Sequence, residues 1–322
     1  MRVSLRLNYG LGARSSIYTF ISQSINPPST RCFSSTQINN NLSPFTRRLY
    51  KLPSAPSAPS SQHDNLPQFL SYASRISLPE SSTVYIGTHY EYTVLQSLRR
   101  YALALHRIGG RDDAGIDLAG TWHLPEHVDS RALRVLVQCK AFKTKLGPNL
   151  VRELEGALRQ APVGWRTGQT VGVLVSPREA TKGVRDALAR SSFPLFWMMI
   201  ERDGVLRQAL WNSKAEEMGL GALGVEMRYA EVDGSTESSE LKKKVELTWD
   251  GSDIPDMESV ELRLEREEER WVKSWVKDLE VDKNVLLDTI ERVFPGGCPE
   301  TDPDGTVAEV HQLKVIEALK RV

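Results

Sequence analysis

Three short stretches hold the residues able to do chemistry. They are Gly87-Thr88-His89-Tyr90-Glu91, Gly115-Ile116-Asp117-Leu118 and Gln138-Cys139-Lys140. Asp117 sits between two apolar residues of strand length, where an aspartate costs stability unless it is paired or metal-bound. In Leu136 to Lys140 the period-2 alternation of a strand puts Leu136, Gln138 and Lys140 on one face and Val135, Val137 and Cys139 on the other. If Ile116-Asp117-Leu118 is the neighbouring strand, Asp117 points into the same space as Gln138 and Lys140. A carboxylate, an amide oxygen, the Cys139 carbonyl and an ammonium then surround one point. That is an oxygen-rich cradle for Mg²⁺ or Mn²⁺ beside a base or charge stabiliser.

Each of these residues also has a plainer role open to it. Thr88-His89-Tyr90-Glu91 fits a capping box, in which Glu91 closes the first turn of a helix, and a capped turn can still aim a carboxylate at the sheet. Lys140 can also be read as a strand-end lysine snorkelling to solvent. Asp112 and Asp113 fit turn residues that bond their own backbone. His123 and His127 stand four apart, but Pro125 between them disfavours the helix that would align them on a metal. Three cysteines, Cys32, Cys139 and Cys298, without Cys-x-x-Cys spacing, are too few for a disulfide framework and argue against structural zinc.

The elements that must position these side chains are legible in outline. Val84-Tyr85-Ile86 reads as a short entry segment. Gly87-Thr88 then starts a helix whose apolar residues recur at Tyr90, Val94, Leu95, Leu98, Tyr101, Ala102 and Leu105. A strand begins near Gly115, and residues 120–130 form a turn-rich connection to the strand ending at Lys140. Leu150 to Gln160 is a helix, Val171 to Val175 a strand buried on both faces, Thr181 to Arg190 a helix and Leu195 to Ile200 another buried strand. This alternation predicts an α/β fold around a mixed sheet. Beyond it, Gly224 to Tyr229 and Val245 to Trp249 read as a hairpin, and Met257 to Asp278 and Lys283 to Phe294 as helices, the first a surface or partner-binding helix.

Charge separates the two halves. Residues 131–190 carry twelve Lys and Arg against four acids, whereas residues 212–322 carry fifteen against twenty-seven. The first segment has the electrostatics of a phosphate-binding surface, with Lys143, Lys145 and Arg152 the candidate contacts to nucleic acid. The acidic extension is a candidate surface for a protein partner. Nothing in the sequence is long and apolar enough to cross a bilayer.

The chain has 322 residues, 40% of them hydrophobic and 25% charged, ordinary for a globular protein. Residues 1–63 hold no Asp or Glu, and Arg2, Arg6, Arg14 and Arg31 lie among Ser, Thr, Leu and Ile. That is the composition of a mitochondrial matrix transit peptide, with cleavage expected near Phe33. Residues 34–67, rich in Pro and Ser, read as a disordered linker. The expected organisation is therefore transit peptide 1–33, linker 34–67, core 68–211 and acidic extension 212–322.

Glu91, the Gly115-Ile116-Asp117-Leu118 run and the Gln138-Cys139-Lys140 strand end, in that order, resemble the PD-(D/E)XK superfamily of restriction-endonuclease-like fold, in particular its Mrr-like branch. The similarity extends over residues 82–200. With its presequence and acidic tail, the whole chain also looks like the fungal mitochondrial required-for-respiratory-growth protein seven family, whose core is of this type. The resemblance implies an α/β sandwich with a mixed central sheet flanked by helices, and a metal-dependent DNA nuclease supporting mitochondrial genome maintenance. In it Asp117, Gln138, Lys140 and Glu91 are catalytic, and Asp117, Gln138, Cys139 and Glu91 hold the metal. Gln138 departs from the Asp or Glu of the superfamily's motif. That departure leaves two other classes open: a nucleic-acid-binding module that does not cut, and an interaction protein of mitochondrial gene expression.

Overall fold

In this computed structural model the structure describes residues 3–4, 42–53, 62–109, 115–125, 132–161, 164–165, 170–230, 242–276, 279–297, 299 and 307–321. Two sheets organise the chain. The larger has six strands in the order β2-β3-β4-β5-β6-β7, formed by Leu103–Arg107, Leu118–Trp122, Leu133–Cys139, Thr170–Ser176, Leu195–Ile200 and Leu206–Trp211. β3 pairs antiparallel with both β2 and β4, β4, β5 and β6 run parallel, and β7 returns antiparallel. The smaller sheet is antiparallel, in the order β1-β8-β9-β10, from Val3–Ser4, Leu223–Ala230, Lys242–Trp249 and Ser252–Asp253. The expected α/β class and mixed sheet are borne out, as is the hairpin of β8 and β9.

Helices cover both faces of the large sheet. α3 (Thr83–Arg99) lays Tyr90, Val94, Leu95 and Leu98 on one face, against Val135, Val137, Val173 and Phe196. α4 (Asn149–Arg159) and α5 (Lys182–Arg190) cover the other, where Leu150, Leu154, Ala157, Val184 and Leu188 meet Leu136, Leu174 and Trp197. β5 is buried at every position, as its unbroken apolar run requires.

Several expectations need correction. Residues 84–86 are not an entry segment, because α3 starts at Thr83 with Ser82 as its cap, the Ser82 hydroxyl accepting from Tyr85 N–H at 3.2 Å. Thr88 and Glu91 therefore lie inside the helix and form no capping box. The helix also stops at Arg99, with Ala102 turning the chain at φ 62° into β2. Leu103, Ala104 and Leu105 are all buried, so this strand, covered on both faces, imitates a continuing helical face. Gly120 was expected to open a connection but lies within β3. A Cβ there would stand 1.9 Å from the Ala104 carbonyl oxygen, so β2 approaches where no side chain fits.

Described segments on both sides of the expected core pack onto it. In the stretch read as linker, α1 (Pro44–Leu49) buries Phe45, whose ring packs edge-on against Trp271 at 5.8 Å and under the Lys283 ammonium at 4.7 Å. α2 (Leu66–Arg75) follows it and packs Phe69 and Ala73 beside Tyr92. A short helical turn, α6 (Ser213–Ala215), leads into the small sheet. In the acidic extension, Leu223, Leu247, Trp249, Met257, Val260 and Leu264 belong to the same apolar cluster as α3 and the large sheet. The core thus continues across position 211. The apolar stripe of α7 (Met257–Trp275) is spent within the molecule, not on a surface as expected. α8 (Lys283–Val293) and α9 (Glu309–Leu319) pack against the end of α7 through Trp275, Leu286, Ile290 and Val315. Among the described residues no helix is long and apolar enough to span a membrane. Most of the expected presequence, with Asp112, Asp113, His127, Cys32 and Cys298, lies outside the described residues.

Candidate active site

Strand directions decide where the candidate residues meet. β2 ends at Arg107, β3 begins just after Asp117, and β4, β5 and β6 end at Cys139, Ser176 and Ile200. Given the pairing above, all five points fall on one edge of the sheet, and in open α/β sheets ligands gather at the carboxyl ends of parallel strands.

Asp117 is gripped from both sides at this edge. Its N–H donates to the Val137 carbonyl at 2.9 Å, and its carbonyl accepts from Ile108 N–H at 2.8 Å and Gly109 N–H at 2.9 Å. Its side-chain Oδ2 accepts from Cys139 N–H at 2.6 Å, so the carboxylate lies across the end of β4. Glu91 arrives from α3 and accepts from Arg107 Nε at 2.5 Å, each side chain of that pair being 13% exposed. The Arg107 guanidinium also lies over the Tyr92 ring at 5.7 Å. A methyl group built on Gly109 would stand 3.2 Å from Asp117 Oδ1 and 3.4 Å from Glu91 Oε2. Both carboxylates therefore converge over a glycine, with Arg107 as counter-charge.

Gln138 is 3% exposed, and its Nε2 is 2.9 Å from where Gly115 would carry a Cβ. Gly115 holds φ +82°, so the tight bend and the missing side chain together make room for the amide. Gln138 Oε1 is buried with no hydrogen-bond partner among the described residues. A buried amide oxygen left so loses about 1–3 kcal/mol unless a donor or cation reaches it. Burial pushes the Cys139 thiol well above its ordinary range, and Asp117 and then Glu91 push it further, so the group stays a thiol and only its carbonyl is a candidate ligand.

Lys140 donates its backbone N–H to the Val175 carbonyl at 2.8 Å, and its ammonium stands 3.5 Å from Glu153 Oε2 on α4. Lys143 and Lys145 are exposed in the loop joining β4 to α4. Arg152 is not in that loop's company. It lines a groove of about 430 Å³ between α4 and α5, with Glu155, Asp186 and Arg190. His123 is buried beside β3 and shares a 2.9 Å hydrogen bond with the Thr121 hydroxyl. Burial, then Arg263 and Arg47, lower its pKa to about 3.

The structure thus places Glu91, Asp117, Gln138, Cys139 and Lys140 at one edge of the sheet. Sequence reasoning missed Arg107, Glu153 and Gly109. The signal for Arg107 was a basic residue just before Ile108-Gly109-Gly110, hidden because the preceding strand reads as helix. Among the described residues no three His, Cys, Asp or Glu side chains group as a metal site. The oxygens at hand are two carboxylates, one orphaned amide oxygen and a backbone carbonyl. This all-oxygen set fits a hard cation such as Mg²⁺ and does not fit zinc.

With this geometry in hand, comparison with known proteins places the core. Residues 82–132 and 127–229 match the family model of Required for respiratory growth protein 7. The matched region contains every residue of the candidate site. A mitochondrial protein of Schizosaccharomyces pombe is 35% identical over 156 residues, 48% of this chain and 61% of that protein. Required for respiratory growth protein 7, mitochondrial, of Saccharomyces cerevisiae is 27% identical over 177 residues, 42% of this chain and 73% of its own length. The corresponding Vanderwaltozyma polyspora protein is 28% identical over 218 residues, 51% of this chain and 85% of its own. No solved structure matches. The relatives are mitochondrial by name and the chain is a mitochondrial protein, in keeping with its arginine-rich, acid-free N-terminal composition.

Proposed function

We propose that the chain is a metal-dependent nuclease of the mitochondrial matrix acting on DNA, built on a restriction-endonuclease-like core of the Mrr-like PD-(D/E)XK type. The observation that carries the reading is the convergence of the Glu91 and Asp117 carboxylates at the strand edge where Gln138 holds a buried, unpartnered oxygen. The helix, strand and strand-end order of the three motif segments supports it.

In this reading Asp117, Gln138, the Cys139 carbonyl and Glu91 would hold Mg²⁺ or Mn²⁺, which supplies Lewis-acid polarisation of a phosphate oxygen. Arg107 positions Glu91 and offsets the repulsion between the two carboxylates. Cys139 N–H orients the Asp117 carboxylate. Lys140, steadied by Glu153, orients water and stabilises charge developing on the transferred phosphoryl group. Lys143 and Lys145 hold the flanking phosphates, a contribution that weakens as salt rises.

The test is incubation of the purified chain with supercoiled circular and linear DNA in Mg²⁺, Mn²⁺ or EDTA. Metal-dependent cleavage lost in Asp117→Asn supports a nuclease. A second reading, a module that binds DNA without cutting it, is favoured by the neutral Gln138 and by the pairing of Glu91 with Arg107 and of Lys140 with Glu153. DNA binding without cleavage in either metal, unchanged in Asp117→Asn, would select it.

A further inference from the structure

The loop between β4 and α4 presents an aromatic ring that nothing in the core requires. Phe142 lies two residues beyond Lys140 and is 49% exposed. The loop is fixed at both ends. Arg202 Nη2 donates to the Ala141 carbonyl at 3.2 Å, and Leu146 is buried against α4 and α5 while its carbonyl accepts from the Thr181 hydroxyl at 3.0 Å. Between these anchors Lys143, Thr144 and Lys145 are all exposed.

A lone exposed Phe is ordinary on a protein surface, so exposure by itself says little. Placement says more. Phe142 follows closely on the strand end that carries Gln138, Cys139 and Lys140, with lysines at 140, 143 and 145 on both sides of it along the chain. Two residues of chain span at most about 7 Å, which keeps the Cα atoms of Phe142 and Lys140 within about one nucleotide length of each other. Arg178 and Arg202, following β5 and β6, are exposed at the same edge, each beside an exposed acid, Glu179 and Asp203.

We propose that Phe142 stacks on the base of an unpaired nucleotide whose phosphates lie along Lys143 and Lys145, so that this edge takes single-stranded DNA in preference to intact duplex. The inference rests on the nucleic-acid reading above but not on cleavage. In a duplex both faces of each base are covered by neighbours, and a loop ring finds no partner. In a single strand every base offers a face, and aromatic stacking combined with a basic track is the general mode of binding. An anionic membrane also attracts lysines around an aromatic residue, but one ring on a loop lacks the apolar face that holds a protein at a bilayer surface.

The experiment uses the full chain in EDTA, with fluorescence anisotropy of a labelled oligothymidylate strand, of a duplex of equal length, and co-sedimentation with phosphatidylserine vesicles. Wild type should bind the strand at least about 5-fold more tightly than the duplex. Phe142→Ala should raise Kd for the strand by roughly 5- to 150-fold, the range of one stacked base, and move duplex binding by less than about twofold. Phe142→Trp should keep the affinity, and its emission should be quenched by the strand, which a merely structural ring would not produce. The proposal is overturned if Phe142→Ala leaves strand binding unchanged or weakens both DNAs alike, if wild type binds neither DNA, or if the variant loses only vesicle binding. Adding Mg²⁺ separates the two readings. Phe142-dependent strand binding without cleavage removes the nuclease and keeps the stacking, whereas cleavage with Phe142-independent binding does the reverse.

Discussion

Replacing Arg107 with Met tests whether the two carboxylates at the sheet edge are arranged for a cation. The change keeps much of the aliphatic length over Tyr92 but removes the charge that meets Glu91 at 2.5 Å. An exposed ion pair contributes about 0–1 kcal/mol, while removing one partner of a buried pair costs about 3–5 kcal/mol. Each side chain is only 13% exposed, and Asp117 approaches the same point, so the lower end of the buried range applies. In EDTA we expect a loss of about 3 kcal/mol, or roughly 6–10 °C in Tm for a domain of this size. Mg²⁺ should recover much of it, because a cation between Glu91 and Asp117 replaces the missing guanidinium. At 100 times its Kd such a ligand contributes about 2.7 kcal/mol. Wild type should gain less, since there Mg²⁺ competes with Arg107 for Glu91. Thermal and urea melts in EDTA, in MgCl₂ and in NaCl of matched ionic strength measure all three quantities, the last controlling for screening. A variant as stable as wild type in EDTA would show that the pair contributes nothing. A deficit equal in EDTA and Mg²⁺ would place no cation at this edge.

Asp117→Asn and Lys140→Ala should each abolish cleavage while leaving the circular dichroism spectrum unchanged, and calorimetry should find Mg²⁺ binding lost in the first and nearly intact in the second. Gly115→Ala puts a Cβ 2.9 Å from Gln138 Nε2 at φ +82°, so about 1–3 kcal/mol of stability and any Mg²⁺ affinity should fall together in melts and titrations. Phe45→Ala should cost about 3–5 kcal/mol in urea unfolding, because α1 is anchored by that ring, and a disordered segment at this position would show no loss. Burial and then Arg47 hold His106 neutral down to about pH 4, and burial, then Arg263 and Arg47, hold His123 neutral to about pH 3. Their unfolded counterparts protonate near pH 6.5, so this stability is fully present above pH 6.5 and falls on acidification, by on the order of 3 kcal/mol per group at pH 4. Melts from pH 7 to 4 should flatten in a His106→Asn, His123→Asn double variant, and an unchanged slope would assign the acid sensitivity elsewhere.

The parts of the fold visible in the sequence were those with one clear period. β4 is an apolar run interrupted by Arg134 and Gln138, β5 is a near-continuous apolar run and α4 repeats its apolar residues at helical spacing, so each lies within a residue or two of its expected bounds. β2 was invisible because burial on both faces removes the alternation that marks a strand. Gly120 misled for the opposite reason, a turn residue placed by the close passage of β2. α1 sits among Pro and Ser, and only tertiary contact with Trp271, Glu268 and Lys283 supplies what its composition lacks. Asp117, Gln138 and Lys140 could be placed together from spacing alone because neighbouring strands bring them together. Arg107 and Glu153 could not, since each enters the site through an ion pair between two different elements, and no local pattern encodes that.

The same pairings bear on why Gln138 can stand where a third carboxylate would be expected. At this edge Glu91 already meets Arg107, Asp117 is met by Cys139 N–H, and Lys140 leans toward Glu153. A carboxylate at position 138 would add a buried negative charge at an edge that already holds Glu91 and Asp117, of which Glu91 is met by Arg107, and burying an unpaired charge costs far more than burying an amide. Without a cation, Gln138→Glu should therefore destabilise the chain or force a carboxyl group there to stay protonated. With one, the added charge should tighten Mg²⁺. The sign of the change in stability between EDTA and Mg²⁺ thus reports on the site without any DNA substrate. Destabilisation of equal size in both media would mean that the orphaned Gln138 oxygen answers to packing and not to metal.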